Sequence, residues 1–354
     1  MRFRCDRSEL SAAVTSAAQG LPARPRHPLH VGMLVYAMGE VAQFTASDGD
    51  VTLNCVTEAD TETDGQFVFP RVFPDVVKSL PGSTIEISAE GTTGTVASGR
   101  STFTFPVSPG EDYPFPSLSL PVIGDMDGPE FRMALRKVLP AASKDNPLPA
   151  LTAIRLETGA LEDLRLVATD KYHLAVSDCG LELSDCDHGG KVALLPGRVA
   201  EKIVRMDGAG MTLALDDGRI QFRSGGFTVT CTQVDAQGYP KWDFILSMGQ
   251  DWLQLPGGLA DAVKRAVLTL KEKEPVSLIF ARGELVVATE TDRGCFSESL
   301  PVDYEGEQLE LLVSPGLLLD ALAWCDEISL QGNKPLLLRG PGCRYLVQVR
   351  RGNA

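Results

Sequence analysis

The chain has 354 residues, of which 44% are hydrophobic and 23% charged, so it has enough apolar side chain for two or three domain cores and too much for general disorder. The first residues lack the apolar core of a secretory signal peptide, and no run of about 18 apolar residues could span a membrane, so we expect a soluble, cytoplasmic protein. The formal net charge of −14 excludes a basic nucleic-acid-binding domain unless the positive charge is concentrated on one surface.

The first predicted element is an amphipathic helix, and its pattern returns twice along the chain. Apolar residues follow one another at helical spacing from Leu10, from Phe131 and from Leu259. This spacing places one apolar stripe along a helix, which can then pack on a core. The sequence therefore predicts three similar helices at intervals near 120 residues.

A strand and a second helix are predicted after each of these helices. The segments 44–48, 166–170 and 286–290 each read as an apolar strand that ends in Ala, a hydroxyl residue and an acid. Further on, a proline closes another β-like run and is followed by apolar residues at helical spacing, as is typical of proline in the first turn of a helix. These prolines are Pro70, Pro196 and Pro315.

A fourth feature, a Tyr-Pro pair, ends the first two segments at Tyr113 and Tyr239. Four features in the same register indicate three tandem copies of one domain. The text between the helices alternates apolar and polar residues with Gly turns, which is typical of antiparallel hairpins. We therefore predict an α+β fold of three domains, each with two helices packed against antiparallel sheets. The predicted domains are residues 1–121, 122–249 and 250–354, with linkers at 116–128 and around 247–250.

Residues typical of catalysis or metal binding are scarce. The sequence has no nucleotide-binding or hydrolase motif and only four histidines. Asp48, Asp170 and Glu290 recur at one place in the repeat, as expected of acids that stabilise a turn. The Cys-Asp-His sequence at 186–188 is the only local cluster of potential metal ligands and has no matching pair elsewhere. We predict no catalytic residue, no metal and no cofactor.

Positive charge is concentrated in the predicted helices. The helices over 127–144 and 197–206 each carry a net charge of +2, and those over 71–78 and 261–274 each carry +1. The last helix, over 316–327, is an exception at −3. Two interpretations are open. Either the helices expose Lys and Arg to solvent because these residues favour helix, or they share one surface that meets phosphate groups while acidic sheets lie outside.

Five segments spread along the chain carry a family resemblance. They are PGEDYPFP (109–116), PLPALTAIRLE (147–157), LRLVATDKYHLAV (164–176), VDYEGEQLELLVSPGLLLDAL (302–322) and YLVQVR (345–350). In order and spacing they resemble the bacterial DNA polymerase III beta subunit, the DNA sliding clamp. The resemblance implies three-domain subunits that form half of a ring each, paired head to tail around duplex DNA. It also implies a peptide-binding cleft that tethers DNA polymerase and repair proteins, and a separate ATP-driven loader that opens the ring.

The resemblance implies DNA contacts in two loops. Arg24 and Lys144 each follow the first helix of a domain, and the neighbouring acid Asp145 departs from the polar or aromatic residues that some clamps have there. Further DNA contacts are predicted from helix position only. They are Arg136, Lys137, Arg198, Lys202, Arg205, Lys264 and Arg265.

The partner cleft of the family lies between its second and third domains. By resemblance it comprises Leu151, Thr169, Lys171, Tyr172, His173, Leu174, Pro240, Phe244, Ile245 and the end segment 347–351 with Val347 and Val349. For Leu151, Leu174 and Ile245, simple core packing is the alternative interpretation. His173 taken alone reads as a polar surface residue.

The cleft departs from the family pattern at both ends. The family commonly has Arg where His173 and Phe244 stand, and its apolar chain end is replaced here by Gln-Val-Arg-Arg-Gly at 348–352. These changes suggest a cleft that prefers other peptides. The alternative function is therefore an accessory, decoy or resistance copy of the clamp with little or no DNA loading.

The resemblance also implies how a ring would close. Phe103 and Phe105 alternate on a strand near the end of the first domain, and an exposed edge strand invites pairing with another chain. The resemblance places this edge against Leu268 and Thr269, on a helix predicted over 258–270, in a second subunit. The competing interpretation is that both phenylalanines lie in the core of their own domain.

Overall fold

The computed structural model of the chain forms two compact units, and each is described by itself. The first unit contains Met1–Pro129, Leu181–His188 and Glu201–Gln233. The second contains Glu130–Gly180, Gly189–Ala200 and Val234–Ala354. The structure describes residues 1–114, 120–159, 163–184, 190–249, 251–330 and 335–351.

Helices form a small part of the described residues. They are α1 (Arg7–Ala18), α2 (Phe73–Ser79), α3 (Gly128–Val138), α4 (Gly197–Ile203), α5 (Phe244–Ser247), α6 (Leu259–Val267) and α7 (Pro315–Leu322). Short 3-10 turns occupy Pro28–Val31, Leu139–Ala141 and Pro149–Thr152. The longest helix begins at a capping side chain, because Oδ1 of Asp6 accepts hydrogen bonds from the backbone N–H groups of Ser8 and Glu9.

Strands make up most of the remaining elements. In the first half of the chain they are β1 (Arg2–Asp6), β2 (Met33–Met38), β3 (Val41–Ser47), β4 (Val51–Glu58), β5 (Asp60–Thr63), β6 (Gly65–Phe69), β7 (Thr84–Glu90), β8 (Thr93–Ser98), β9 (Ser101–Pro106), β10 (Ser108–Pro109), β11 (Val122–Asp127), β12 (Ala153–Thr158), β13 (Asp163–Thr169) and β14 (His173–Gly180). In the second half they are β15 (Glu182–Leu183), β16 (Val192–Pro196), β17 (Gly210–Leu215), β18 (Arg219–Ser224), β19 (Phe227–Thr232), β20 (Trp252–Gln254), β21 (Val276–Ala281), β22 (Glu284–Thr291), β23 (Gly294–Pro301), β24 (Leu309–Val313), β25 (Glu327–Ser329), β26 (Leu336–Gly340), β27 (Cys343–Val347) and β28 (Val349–Arg351).

The first unit holds two antiparallel sheets around α1 and α2. Their strand orders are β5-β1-β7-β8-β9 and β10-β6-β2-β3-β4-β19-β18-β17-β11-β15. The larger sheet joins the first repeat to the second, since Phe227 of β19 lies opposite Cys55 of β4. A core of fully buried side chains fills the space below the helices, with the rings of Phe69 and Phe73 4.8 Å apart.

The second unit also holds two antiparallel sheets. Their strand orders are β16-β12-β13-β14-β27-β26-β25-β20 and β23-β22-β21-β24-β28. The larger one joins the second repeat to the third, because Ala175 of β14 lies opposite Tyr345 of β27. The predicted apolar stripe that starts at Leu259 is fully buried on α6. The α+β class with antiparallel sheets is therefore confirmed.

The compact units follow the sheets, whereas the three predicted domains follow the sequence repeat. Because each larger sheet continues across a repeat boundary, the second repeat is divided between the two units. The domain boundaries at 121 and 249 stay a prediction.

Two of the recurring features have a clear structural role. The Tyr113 hydroxyl accepts the backbone N–H of Ser47 at the end of β3, and the Tyr239 hydroxyl donates to the Val167 carbonyl near the end of β13. The first two recurring acids stabilise turns as predicted, since Oδ1 of Asp48 accepts from the backbone N–H groups of residues 50 and 51, and Oδ1 of Asp170 from those of residues 172 and 173. Each Tyr thus fixes a loop onto the sheet of its own repeat.

Several predicted boundaries are wrong. The helix expected over 127–144 ends at Val138, because the proline at 140 cannot continue the hydrogen-bonding pattern. Pro315 starts α7 and Pro196 closes β16 as predicted, but α4 begins one residue after Pro196 and α2 three residues after Pro70. In the linker expected over 116–128, residues 122–127 instead form strand β11, which pairs with β17.

Candidate functional site

Several predicted DNA contacts are exposed to solvent. Arg24 and Lys144 lie in loops, and Arg205 lies two residues beyond the end of α4. Arg136 on α3 and Arg198 on α4 are exposed as well. These five side chains are accessible to a phosphate backbone.

The other predicted DNA contacts take part in local interactions. Nζ of Lys202 donates to the Gln19 carbonyl at 2.6 Å. The Arg265 guanidinium makes two hydrogen bonds to the Glu298 carboxylate, at 2.6 and 2.9 Å. Such an exposed pair reduces the positive charge offered to a ligand, although its own stabilising effect is small.

Lys137 and Lys264 are held in the same way. Nζ of Lys137 donates to the Pro341 carbonyl at 2.7 Å, so this side chain is directed at the β26–β27 turn. Nζ of Lys264 lies 3.0 Å from Asp261 on the preceding turn of α6. These local interactions compete with phosphate for the four side chains, and their role as DNA contacts stays a prediction.

A groove of about 420 Å³ in the first unit brings two basic residues beside α1. Its walls include Ala12 and Ala13 of α1 and Phe227 of β19, and Lys202 and Arg205 contribute from the end of α4. Helices of the first and second repeats thus share one concave surface of this unit. Glu9 and Asp207 line the same groove, so its formal charges balance, and the basic surface expected from uneven charge stays a prediction.

The predicted cleft residues of the second unit are built around a tight turn between β13 and β14. Oδ1 of Asp170 accepts the backbone N–H groups of Tyr172 and His173 and also contacts Nδ1 of His173 at 2.9 Å. The Thr169 hydroxyl donates to the His173 carbonyl, and Lys171 adopts a left-handed backbone with φ of 80°. The turn is therefore rigid, and it leaves the Tyr172 ring 62% exposed.

The interpretation of His173 as a surface residue is wrong. Its side chain is buried, because β14 pairs with β27 at this residue and covers it. Although burial opposes ionisation, the hydrogen bonds from His173 and the backbone hold the pKa of Asp170 below its usual range. Burial raises the pKa of the nearby Asp320 carboxyl on α7, a residue that the sequence gave no reason to select.

An apolar cluster lies next to this turn. Leu174 and Ile245 pack with Trp242, and the Arg344 guanidinium donates to the Leu246 carbonyl at 2.6 Å. Phe244, at the start of α5, is 47% exposed. The cluster thus forms a buried apolar floor with an exposed aromatic ring at its margin. Trp242 was not selected from the sequence, because a comparison of repeats does not detect a side chain that occurs in only one of them.

The remaining predicted cleft residues differ in burial and in the sheet to which they belong. Val347 is buried beside His173, and the backbone N–H of the next residue donates to the Tyr172 carbonyl at 2.8 Å. Leu151 is fully buried, in agreement with the core-packing alternative, and Pro240 is partly buried. Val349 belongs to β28 and pairs with Val313 in the other sheet. The chain end is therefore sheet rather than a free tail as far as residue 351.

The proposed dimer contacts lie on an edge strand of the first unit and at the end of a helix in the second. Strand β9 is an edge of the five-stranded sheet in the first unit, and Phe103 on it is 40% exposed. Phe105 is buried in the core of its own unit, where its ring packs edge to face against Phe69, so its assignment to the surface is wrong.

The second predicted edge is in the other unit. Leu268 follows the last residue of α6 and is 81% exposed, whereas the Thr269 hydroxyl is engaged with Thr289. Strand β23 is the edge of the adjoining sheet. A large apolar side chain exposed beside an edge strand is typical of a surface that another chain covers.

Metal-binding groups are not found among the described residues, in which no three His, Cys, Asp or Glu side chains cluster to hold an ion. The Cys-Asp-His sequence at 186–188 lies outside the described residues. In the part of the chain that the structure describes, no helix is long and apolar enough to cross a membrane.

Comparison with known proteins gives consistent matches over the chain. Residues 1–119 match the family model of the DNA polymerase III beta subunit, N-terminal domain, and residues 125–241 match that of its central domain. The beta sliding clamp of Streptomyces coelicolor is 30% identical over 96% of this chain and 94% of its own length.

Two further matches are a protein named as a clamp homologue and a clamp of known structure. A protein of Streptomyces muensis named beta sliding clamp homolog GriR is 28% identical over 92% of this chain and 89% of its own length. The crystal structure of the DNA polymerase sliding clamp of Bacillus subtilis superposes with a TM-score of 0.90 at 22% identity, covering 100% of both chains.

Proposed function

This chain belongs to the DNA polymerase III beta subunit family, and from this membership we propose that it works as a DNA sliding clamp. In this role two copies, each of three domains, close head to tail around duplex DNA, and the ring slides without catalysis. A cleft in the second unit tethers DNA polymerase and the clamp loader through short peptides. The observation that carries the proposal is that the family likeness extends over nearly the whole chain and the whole fold.

The distribution of charge supports a DNA-facing wall. The molecule is acidic overall, yet Arg198 on α4 and Arg205 just beyond that helix are both exposed to solvent. Encirclement needs no base contacts, because a closed ring is held by topology, and a few basic side chains suffice to keep it centred on the phosphates.

The decisive prediction concerns DNA topology. After loading by a bacterial clamp loader with ATP, the protein is expected to remain on a nicked circular duplex through a high-salt wash, and to be lost when the circle is cut by a restriction enzyme. A ring slides off a free end, whereas electrostatic binding would be lost in salt on either form. Retention is measured by gel filtration of labelled protein with the DNA.

The control is the same linear DNA with bulky protein blocks at both ends, which should restore retention. Equal retention on open linear and circular DNA would contradict encirclement. No retention on any form would favour the second candidate, an accessory or decoy copy with an altered cleft. That candidate is supported by the buried His173 and the exposed Phe244 at positions where the resemblance implies Arg.

A second prediction concerns the cleft. Replacing Tyr172 or Phe244 by Ala is expected to weaken the binding of this chain's own partner peptides about 30-fold, because exposed aromatic rings at the margin of an apolar floor act as anchors. Binding is measured by fluorescence anisotropy, with peptides selected against the wild-type protein. Met38→Ala removes an equally exposed apolar side chain from the other unit and should leave affinity unchanged.

The same assay separates the two functional candidates. Micromolar binding of a standard clamp-binding peptide to the wild-type protein would count against an altered cleft. Unchanged binding by both alanine variants would show that peptides are held elsewhere.

A further inference from the structure

Two buried cysteines of the second unit lie side by side. Sγ of Cys325 is 4.0 Å from Sγ of Cys343, and the residues are 18 apart in the chain. Both side chains are only 6% exposed. Nothing in the clamp function requires a thiol at either place.

The backbone holds the pair in this position. Gly340 and Cys343 are partners in the β26–β27 hairpin, and a Cβ on Gly340 would collide with the carbonyl of Trp324. The segment that follows α7 therefore packs directly on the hairpin. Sγ of Cys343 also lies 3.7 Å from that Trp324 carbonyl oxygen. The two sulfurs are thus close because two backbones are in contact.

A cation stands next to the pair. The Lys137 ammonium donates to the carbonyl of Pro341, two residues before Cys343. The hydrogen bond from Cys325 and the Lys137 charge lower the pKa of Cys343 against the opposing effect of burial. The shared hydrogen bond and burial raise the pKa of Cys325. Because the Lys137 ammonium lies at the turn that carries Cys343, Cys343 is the thiol suited to attack an oxidant and Cys325 the one to remain protonated until a second step.

We propose that Cys325 and Cys343 are a peroxide-sensitive pair that closes to an intramolecular disulfide. The Cys343 thiolate attacks one oxygen of hydrogen peroxide, the O–O bond breaks, and the departing hydroxide takes up a proton to leave as water. Cys343 is then a sulfenic acid. Sγ of Cys325 next attacks Sγ of Cys343, the S–O bond breaks, and the oxygen leaves as a second water with the thiol proton.

The fold favours this reaction over competing ones. The sulfurs must approach by about 2 Å to bond. Because both sulfurs are buried, only a small oxidant reaches them, and a protein thiol cannot intercept the sulfenic acid. The bond would link the end of α7 to β27, the strand that pairs with the turn of the proposed cleft. The proposal does not depend on clamp function.

The test follows the thiols of the reduced full-length protein during treatment with hydrogen peroxide. Trypsin would release Cys325 on the same peptide as Cys295, so the Cys295→Ser background is used. After quenching and alkylation in denaturant, we expect a linked peptide pair that joins Cys325 to Cys343 and disappears on reduction. In Cys325→Ser, dimedone added together with the denaturant should label Cys343, whereas in Cys343→Ser it should not label Cys325.

Two comparisons make the outcome decisive. Lys137→Met is expected to slow disulfide formation about threefold to tenfold, and Lys137→Arg, which keeps the charge, much less. The proposal is overturned if both thiols stay alkylatable in the folded protein, or if the bond forms as fast in concentrated guanidinium chloride as in the native state. Equal rates for the two Lys137 variants would overturn the assigned role of Cys343 as the attacking thiol.

Discussion

A Leu268→Arg variant is expected to weaken self-association of this chain by about 100-fold, which corresponds to about 2.7 kcal/mol. Leu268 is the most exposed of the large apolar side chains in the described residues, and it stands beside the edge strand β23. If a second subunit covers it, the substitution removes an apolar anchor and buries an unpaired charge in the same place. In the isolated subunit the side chain contacts mostly water, so folding should be unaffected.

The measurement is sedimentation velocity over a range of protein concentrations, with the thermal unfolding curve as a check on folding. Val72→Arg is the matched control, because Val72 is an exposed apolar residue at the start of α2 and belongs to neither proposed edge. Phe103→Arg, on the partner edge, should reproduce the effect. A dimer of unchanged affinity in both edge variants would rule out this closure.

The interface residues show where sequence reasoning stops. Alternation places Phe103 and Phe105 on the same face of β9, and their rings are indeed stacked, with centroids 6.4 Å apart. The pattern does not show where the core ends beneath that face. Phe105 lies over Phe69 and is covered, whereas Phe103 lies farther along the strand and is exposed. Exposure along a strand depends on tertiary packing, which no local period contains.

The basic residues show that sequence reasoning also fails to predict which positive charges are paired. Helical spacing located the cations correctly on or beside the helices, but each cation is then paired according to what lies opposite. The acid that holds Arg265 is Glu298 of β23, a residue 33 positions away. The carbonyl that holds Lys137 is 204 positions away. Sequence composition gives the sign of a surface, and long-range pairing decides which side chains are available.

The threefold sequence repeat predicted the secondary-structure elements better than it predicted the compact units. The strand that ends in Ala, a hydroxyl residue and an acid was placed correctly in β3 and β13 because its period is local. The pairing of β4 with β19, and of β14 with β27, involves edge strands of neighbouring repeats. From the sequence alone, each of these edge strands could equally be exposed to solvent. Only the complete sheets show that the strands of neighbouring repeats pair.

The second large effect is expected at Tyr345, in the middle of β27. This side chain is fully buried, and its hydroxyl donates to the carbonyl of Lys137 at the end of α3. Burial raises the pKa of Tyr345, so the phenol stays protonated and remains a donor. Tyr345→Ala should lower the free energy of unfolding by about 3 to 5 kcal/mol, because it leaves a large cavity between β27 and the end of α3.

Tyr345→Phe keeps the ring and so measures the contribution of the hydroxyl alone. Without it, the Lys137 carbonyl is left buried and unpaired, which is expected to cost about 1 to 3 kcal/mol. Tyr304→Phe is the matched control, since that hydroxyl donates to the Glu307 carbonyl near solvent and its loss should cost about 0.5 kcal/mol or less.

Tryptophan fluorescence is the appropriate probe for these variants, because all three tryptophans of the chain, at 242, 252 and 324, lie in the second unit with Tyr345. Urea titrations then report the unfolding of the unit in which β27 joins the second repeat to the third. If Tyr345→Phe costs no more than Tyr304→Phe, the Lys137 carbonyl has another donor, and the helix end is not fixed by this side chain. A larger loss would make Tyr345 the residue through which α3 is anchored to the shared sheet.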